Sequence, residues 1–276
     1  MPRLGGCRHG GHCYNPGMRY RERLQARIAA TGSRLCVGLD PRPGEGGIEA
    51  VPDFLKRVVD ETWQHAAAFK PNMAYFEAMG LRGIEILEKL LGEMPSEVPV
   101  ILDAKRSDIG ETQKYYAHSY FAHWKVEAVT LNPFLGYDSI EPFLGWDGKG
   151  IYLLAVTSNA GSADFQRQTL ADGRSVFELV TALGERAKGS PTDVGYVVGL
   201  TNAAGVLAKI PDAPLLVPGL GAQGGDLASL AAAARSAPDV INVSRGILYA
   251  DDGSSYGERA VSWAARISRA YEEAVA

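Results

Sequence analysis

A parallel α/β architecture closed as a single (β/α)8 TIM barrel is the fold class that this sequence predicts, and three observations predict it. Short apolar, β-branched runs alternate with amphipathic segments from Arg34 to the C-terminus. Eight such runs can be counted, the number that a barrel of this kind requires. Polar residues recur at the C-terminal end of nearly every run, where a barrel would gather them at one mouth: Asp40, Lys70, Asp103 with Lys105, Asn132, Thr157 with Ser158, Thr201, Gln223 and Arg245. An open sheet would not converge them.

The runs are Leu35–Leu39, Ala66–Phe69, Val98–Leu102, Ala128–Leu131, Ile151–Val156, Tyr196–Leu200, Leu215–Val217 and Val240–Val243. Each is short and apolar on both faces, as a strand covered by helices must be. Between them lie helical stripes. Leu55, Val58, Val59, Thr62 and Ala66 recur at i, i+3, i+4 spacing behind Asp53, read as an N-cap. Ala260, Trp263, Ala264, Ile267 and Tyr271 form a similar stripe, suited to a closing outer helix. An Arg/Glu-rich helical stretch after Met18 opens the folded unit, so residues 18–276 are expected to form one barrel domain and 1–17 a disordered, Gly-rich extension. Cys7, His9, His12 and Cys13 in that extension fit no compact metal framework, so no metal site is expected there.

At 276 residues and 46% hydrophobic content, the chain is long enough to bury a large core. Its formal charge of −4 and the absence of any Lys/Arg block argue against nucleic acid as a partner. Three cysteines without regular spacing, Cys36 inside a strand run, fit a reducing compartment, and the expected location is cytoplasmic. The N-terminus lacks the apolar core of a secretory signal, and no run reaches the length of a membrane span.

The chemistry concentrates in Asp103-Ala104-Lys105-Arg106-Ser107-Asp108, directly after an apolar run. Residues two apart on a strand share a face, so Asp103 and Lys105 project together, with Asp108 where the chain turns into the next helix. A lysine flanked by carboxylates is kept as the ammonium and can act as a positioned proton donor. Taken alone, the pattern also suits a structural ion pair. Pro218-Gly219-Leu220-Gly221-Ala222-Gln223-Gly224-Gly225-Asp226 is a Gly-rich loop whose amides could approach an anion, with Asp226 as the N-cap of the next helix. Arg245, one strand later, could grip phosphate oxygens, and barrels that bind phosphorylated ligands often hold them at these two loops. Asp40 and Lys70, on neighbouring strands, could hold sugar hydroxyls and extend the charge array; taken singly, either also suits a solvated rim residue. His65, His118 and His123 fall within helices, as packing or surface residues, and no hydrolytic triad is assembled.

The ordered motifs VGLDP, FKPNMAYFE, LDAKRSDIGET, TLNPFLGYDS, TSNAG, VPGLGAQGGD and NVSRG resemble the orotidine 5′-phosphate decarboxylase family, in its longer bacterial subgroup. D-x-K-x-x-D alone is shared by a wider barrel superfamily; the ordered set is specific. The resemblance runs from about Met18 to the C-terminus. It implies conversion of orotidine 5′-phosphate to UMP and CO₂ in pyrimidine biosynthesis, without metal or cofactor, by a homodimer with shared active sites. It implies Lys105 as the proton donor beside Asp103, and Lys70 and Asp40 as holders of ribose hydroxyls, with Lys70 tied into the array. Asp108 and Thr112 would reach into the partner subunit's site. Ser158 would read the pyrimidine edge, Pro218 pack on the ring, and Gln223 and Arg245 grip the phosphate. Ser244 departs from a glycine common in the family, and residues 1–17 have no counterpart there. Two competitors remain: a magnesium-dependent sugar-phosphate decarboxylase or aldolase of the same superfamily, and a non-catalytic barrel that senses phosphorylated nucleotides. Lys70, where the former carries an acidic metal ligand, argues against it; the intact Asp103–Lys105–Asp108 set argues against the latter.

Overall fold

The computed structural model describes residues 17–44, 46–202, 205–219 and 227–275. Its eight strands are β1 (Leu35–Leu39), β2 (Ala68–Pro71), β3 (Ile101–Arg106), β4 (Ala128–Leu131), β5 (Gly150–Val156), β6 (Asp193–Val198), β7 (Leu215–Pro218) and β8 (Asp239–Val243). All pairings are parallel, in the order β2-β1-β8-β7-β6-β5-β4-β3. Single bridges Phe69–Val100 and Asn72–Asp103 join β2 to β3 and close the ring. The (β/α)8 barrel expected from the alternation is the fold observed.

Strand alternation sorts the apolar residues into two cores. One face of the strands carries Cys36, Ala68, Ile101, Ala128, Tyr152, Val197, Leu216 and Val240, which fill the barrel interior. The other carries Leu35, Val37, Leu39, Leu102, Val129, Leu153, Val217 and Ile241, which pack outward against the helices. Helix α1 (Tyr20–Thr31) contributes Tyr20, Leu24 and Ile28 to the interior cluster, so it plugs the N-terminal end of the barrel. The Tyr20 and Tyr152 hydroxyls meet at 3.0 Å in that plug.

The outer layer comprises α2 (Val51–Thr62), α3 (Met73–Glu77), α4 (Gly80–Glu93), α5 (Gly110–Ala117), α6 (Tyr137–Ile140), α7 (Val176–Arg186), α8 (Leu227–Ala232), α9 (Arg245–Leu248) and α10 (Tyr256–Val275). The stripe on α2 is buried as its spacing requires, but the helix begins at Val51 with Ala50 at its N-cap, so Asp53 sits in the first turn rather than capping it. Ala260 and Ile267 of α10 are fully buried.

Three strands are displaced from their apolar runs, each for a local reason. Ala66 gives its carbonyl to the Arg27 side chain after a turn at Trp63–His65, and β2 starts two residues later. Val98 closes a turn onto Pro95, and Pro99 has no N–H to give a ladder, so β3 starts beyond both and extends through the charged residues to Arg106. β6 begins at Asp193, and Leu200 lies in the turn that follows it.

Candidate active site

The interior face of each strand continues upward at period two from the apolar layer to the mouth. Ala68 leads to Lys70, Ile101 to Asp103 and then Lys105, Ala128 to Thr130, Cys36 to Gly38 and Asp40, and Val240 to Asn242 and Ser244. The charged residues at the strand ends are thus the top of the same columns whose lower members form the interior core.

Asp103 is at the centre. Lys70 Nζ donates to its Oδ2 at 2.8 Å, and Lys105 Nζ to its Oδ1 at 2.6 Å. The Thr130 hydroxyl donates to Oδ1 as well, at 3.0 Å. Both Lys70 and Asp103 are buried, while the Lys105 side chain is about half exposed (47%) and reaches into the mouth. Burial opposes ionisation of Asp103, yet Lys70 and Lys105 together hold its carboxyl well below the usual carboxylate range. Burial likewise pulls at the Lys70 ammonium, but Asp103 and Asp40 more than reverse this and hold it above its ordinary value. Beneath them the Cys36 thiol is pushed up to about 12 by burial, so it stays neutral.

Lys105 owes its position to a backbone irregularity. Between Leu102 and Arg106 the register of β3 slips against β4, and Lys105 adopts a positive φ of 49°. Its amide donates to the Thr130 side chain at 2.9 Å instead of to a ladder carbonyl. A bulge with left-handed backbone at a non-glycine residue costs energy and re-aims a side chain, and such strain clusters at functional sites.

Within the chain, the arrangement is a carboxylate between two lysines rather than the lysine between two carboxylates read from the sequence. Asp108 lies past the end of β3, half-buried, with its Oδ1 accepting from the Ile109 amide at 2.8 Å. Two residues into α5, Thr112 is also half-buried. Neither is brought to Lys105 by its own chain's fold.

Around the rest of the mouth, Asp40 follows β1 with its Oδ1 buried and unpaired among the described residues. Asn242 Oδ1 and Ser244 Oγ are in the same condition, and both approach Gly38, where a Cβ would sit 3.1 Å from Asn242 Oδ1 and 2.7 Å from Ser244 Cβ. Polar atoms buried without partners are costly, and their place at an open mouth suits a bound polar ligand. Ser158, after β5, lies against Gly199, and its Oγ is 3.5 Å from where a Cβ on Gly219 would be, beside Pro218 at the end of β7. Arg245 opens α9, exposed, and pairs with no described carboxylate. Gln223 and Asp226 lie outside the described residues, as do Cys7, His9, His12 and Cys13. Asn132 has a local task, accepting from the Phe134 amide at 3.2 Å to cap a turn.

Sequence reasoning missed Thr130, Asn242 and Ser244 as site residues. The signal was there for the first two: each is a lone polar residue at an interior position of an otherwise apolar run.

A parallel barrel with a Lys–Asp–Lys array at its mouth, Lys70 and Asp103 buried and Lys105 half exposed, and an arginine at the loop after its last strand, is of the enzyme class that works on phosphorylated ligands at the C-terminal mouth. The family model for "Orotidine 5′-phosphate decarboxylase / HUMPS" matches residues 33–260. The orotidine 5′-phosphate decarboxylase of Methylibium petroleiphilum is 43% identical over 265 residues, 88% of this chain and 95% of that protein. That of Roseiflexus castenholzii is 41% identical over 271 residues, 94% and 99% of the two chains. The solved structure of Leishmania donovani OMP decarboxylase superposes with a TM-score of 0.81 at 35% identity, covering 92% of this chain and 99% of the other. The chain belongs to the orotidine 5′-phosphate decarboxylase / HUMPS family.

Proposed function

We propose that this chain is a carboxy-lyase that converts orotidine 5′-phosphate to UMP and CO₂ by cofactor-free decarboxylation, with Lys105 protonating C6. The observation that carries the reading is the continuous hydrogen-bonded array Lys70–Asp103–Lys105 at the barrel mouth. Breaking the C6–carboxylate bond releases CO₂ and leaves the electron pair on C6, where no conjugated carbonyl can take it up. Stabilisation then depends on preorganised charge, and Lys105 is the half-exposed lysine of the array, where Lys70 is buried. It gives its proton to C6 and is reprotonated from solvent. Asp103, ionised by its two lysines, would stand beside the substrate carboxylate. Asp40 and Lys70 would take ribose hydroxyls, Ser158 and Pro218 the pyrimidine, and Gln223 and Arg245 the phosphate.

The second element of the proposal is a homodimer in which Asp108 and Thr112 complete the partner subunit's site. In support, large apolar side chains stand exposed on the segments that follow β3 and β4: Ile109 next to Asp108 at 62%, Tyr115 on α5 at 73%, and Phe134 after β4 at 68%. Exposed apolar groups of this size suit a surface that another chain covers. A cytoplasmic location is part of the proposal, supported by three cysteines without the regular spacing of a disulfide framework; among the described residues no helix is long and apolar enough to cross a membrane.

The magnesium-dependent alternative needs an acidic ligand where Lys70 stands, and an ammonium paired to Asp103 is a poor neighbour for a divalent cation. Following the loss of orotidine 5′-phosphate absorbance tests both readings. Turnover should be unaffected by EDTA and abolished in a folded Lys105→Ala protein. Near-normal turnover by that variant, or activity lost to EDTA and restored by Mg²⁺, would reject the proposal.

A further inference from the structure

Asp40 faces the mouth with a carboxylate oxygen that is buried and, among the described residues, unpaired. An unpaired buried carboxylate is held in place only if its backbone is. That backbone is fixed by one phenol from the other side of the β1–β8 seam. Tyr249 donates its hydroxyl hydrogen to the Asp40 carbonyl at 2.9 Å and accepts from the Arg42 amide at 2.7 Å, so a single oxygen spans Pro41 and pins both of its neighbours. The ring is held in turn. Phe54 of α2 stacks on one side, centroids 5.9 Å apart at 24°, and the Arg42 guanidinium lies 5.1 Å from the ring centre. At its own backbone, the Tyr249 amide donates to the Arg245 carbonyl at 3.0 Å. The phenol therefore links the loop that carries Asp40 to the short helix that begins with Arg245.

We propose that Tyr249 is a positioning residue, which bolts the β1 loop to the β8 loop and so sets Asp40 at the distance from Arg245 that a sugar phosphate requires. This inference rests on the functional reading above and deepens it: Asp40 and Arg245 would take the two ends of the ribose 5′-phosphate unit, and the bolt fixes the span between them. Burial raises the phenol above its ordinary value, with the Arg42 amide opposing, so the hydroxyl keeps the hydrogen that it donates. No part of Tyr249 needs to touch the substrate.

The test is a double-mutant cycle on KM and kcat for orotidine 5′-phosphate, with melting followed in parallel. Tyr249→Phe keeps the stacked ring and removes both hydrogen bonds. It should raise KM about tenfold, the scale of one or two hydrogen bonds, with kcat changed much less. In an Asp40→Ala background the same change should add less than about twofold, because the group being positioned is gone. Arg42→Ala retains the amide donor and removes only the weaker contact of the guanidinium with the ring, so it should raise KM by no more than about twofold. A KM unchanged in Tyr249→Phe, full multiplicativity with Asp40→Ala, or a tenfold rise from Arg42→Ala would each overturn the assignment. Absence of decarboxylation by the unmodified protein would instead strike the functional reading, so the two failures are distinguishable.

Discussion

The Thr130 hydroxyl donates to Asp103 Oδ1 and the same oxygen accepts from the Lys105 amide. One small group thus anchors both the carboxylate and the strained backbone that aims the lysine. Thr130→Val preserves shape but leaves Asp103 Oδ1 with Lys105 as its donor and the part-buried Lys105 N–H without its partner, at a cost of about 1–3 kcal/mol. We expect a measurable loss of stability in denaturant titration. We also expect a fall in kcat of about tenfold or more, because a lysine misplaced by even an ångström forfeits catalysis. Thr130→Ser, which retains the oxygen, should recover most of kcat; failure of that rescue would mean that the hydroxyl is not what matters. The array itself withstands pH. Asp103 ionises below the unfolded value of about 4, so its contribution to stability is present above that pH and fades as pH falls through the lower folded value. Lys70 titrates above the unfolded value of about 10.4, so its contribution is present below that and fades only as pH rises through the folded value. Between those limits both ions persist.

Elements, more than residues, were legible in the sequence, because burial on both faces leaves an apolar run that flanking turns delimit. β1 and β4 match their runs residue for residue, while β2 and β3 shift because a side chain takes the Ala66 carbonyl and a proline lacks a donor. Neither cause has a periodic signature. The charged members of the site were readable from D-x-K spacing, but the register slip on β3 and the Thr130 contact were not, since both depend on what β4 presents. Long-range contact also explains Gly150, the first residue of β5. A Cβ there would lie 2.4 Å from Tyr20 Cδ1, against the flat ring of the α1 plug. The ring is fully enclosed and cannot swing aside. Gly150→Ala should therefore destabilise the barrel by about 1–3 kcal/mol through overpacking, lowering the thermal midpoint by several degrees. Because the plug is at the opposite end from the mouth, kcat and KM of the folded fraction should hardly change. A normal midpoint would show that α1 can tilt out of the barrel at little cost.

At the scale of the whole molecule, one chain's fold supplies Lys70, Asp103 and Lys105 to its mouth but leaves Asp108 turned to its own Ile109 amide. Asp108 sits on the rim between the end of β3 and the start of α5, beside Ile109, whose side chain is largely exposed. A second subunit docked on that surface would bury these apolar groups and bring each Asp108 towards the partner's mouth. A closed two-fold dimer makes that exchange reciprocal. Two inactive variants should then repair each other. In a mixed dimer of Asp108→Ala and Lys105→Ala chains, one site receives an intact Lys105 from the first chain and an intact Asp108 from the second, while the other site lacks both. With equal amounts and equal affinities, about half of the dimers are mixed. Each of these carries one competent site of two, so activity should recover to about a quarter of the unmodified level. Subunit exchange is checked by tagging one variant and co-purifying the other. Exchange without recovered activity would place Asp108 in its own chain's site, and a chain that stays monomeric at assay concentration would remove the shared-site proposal altogether.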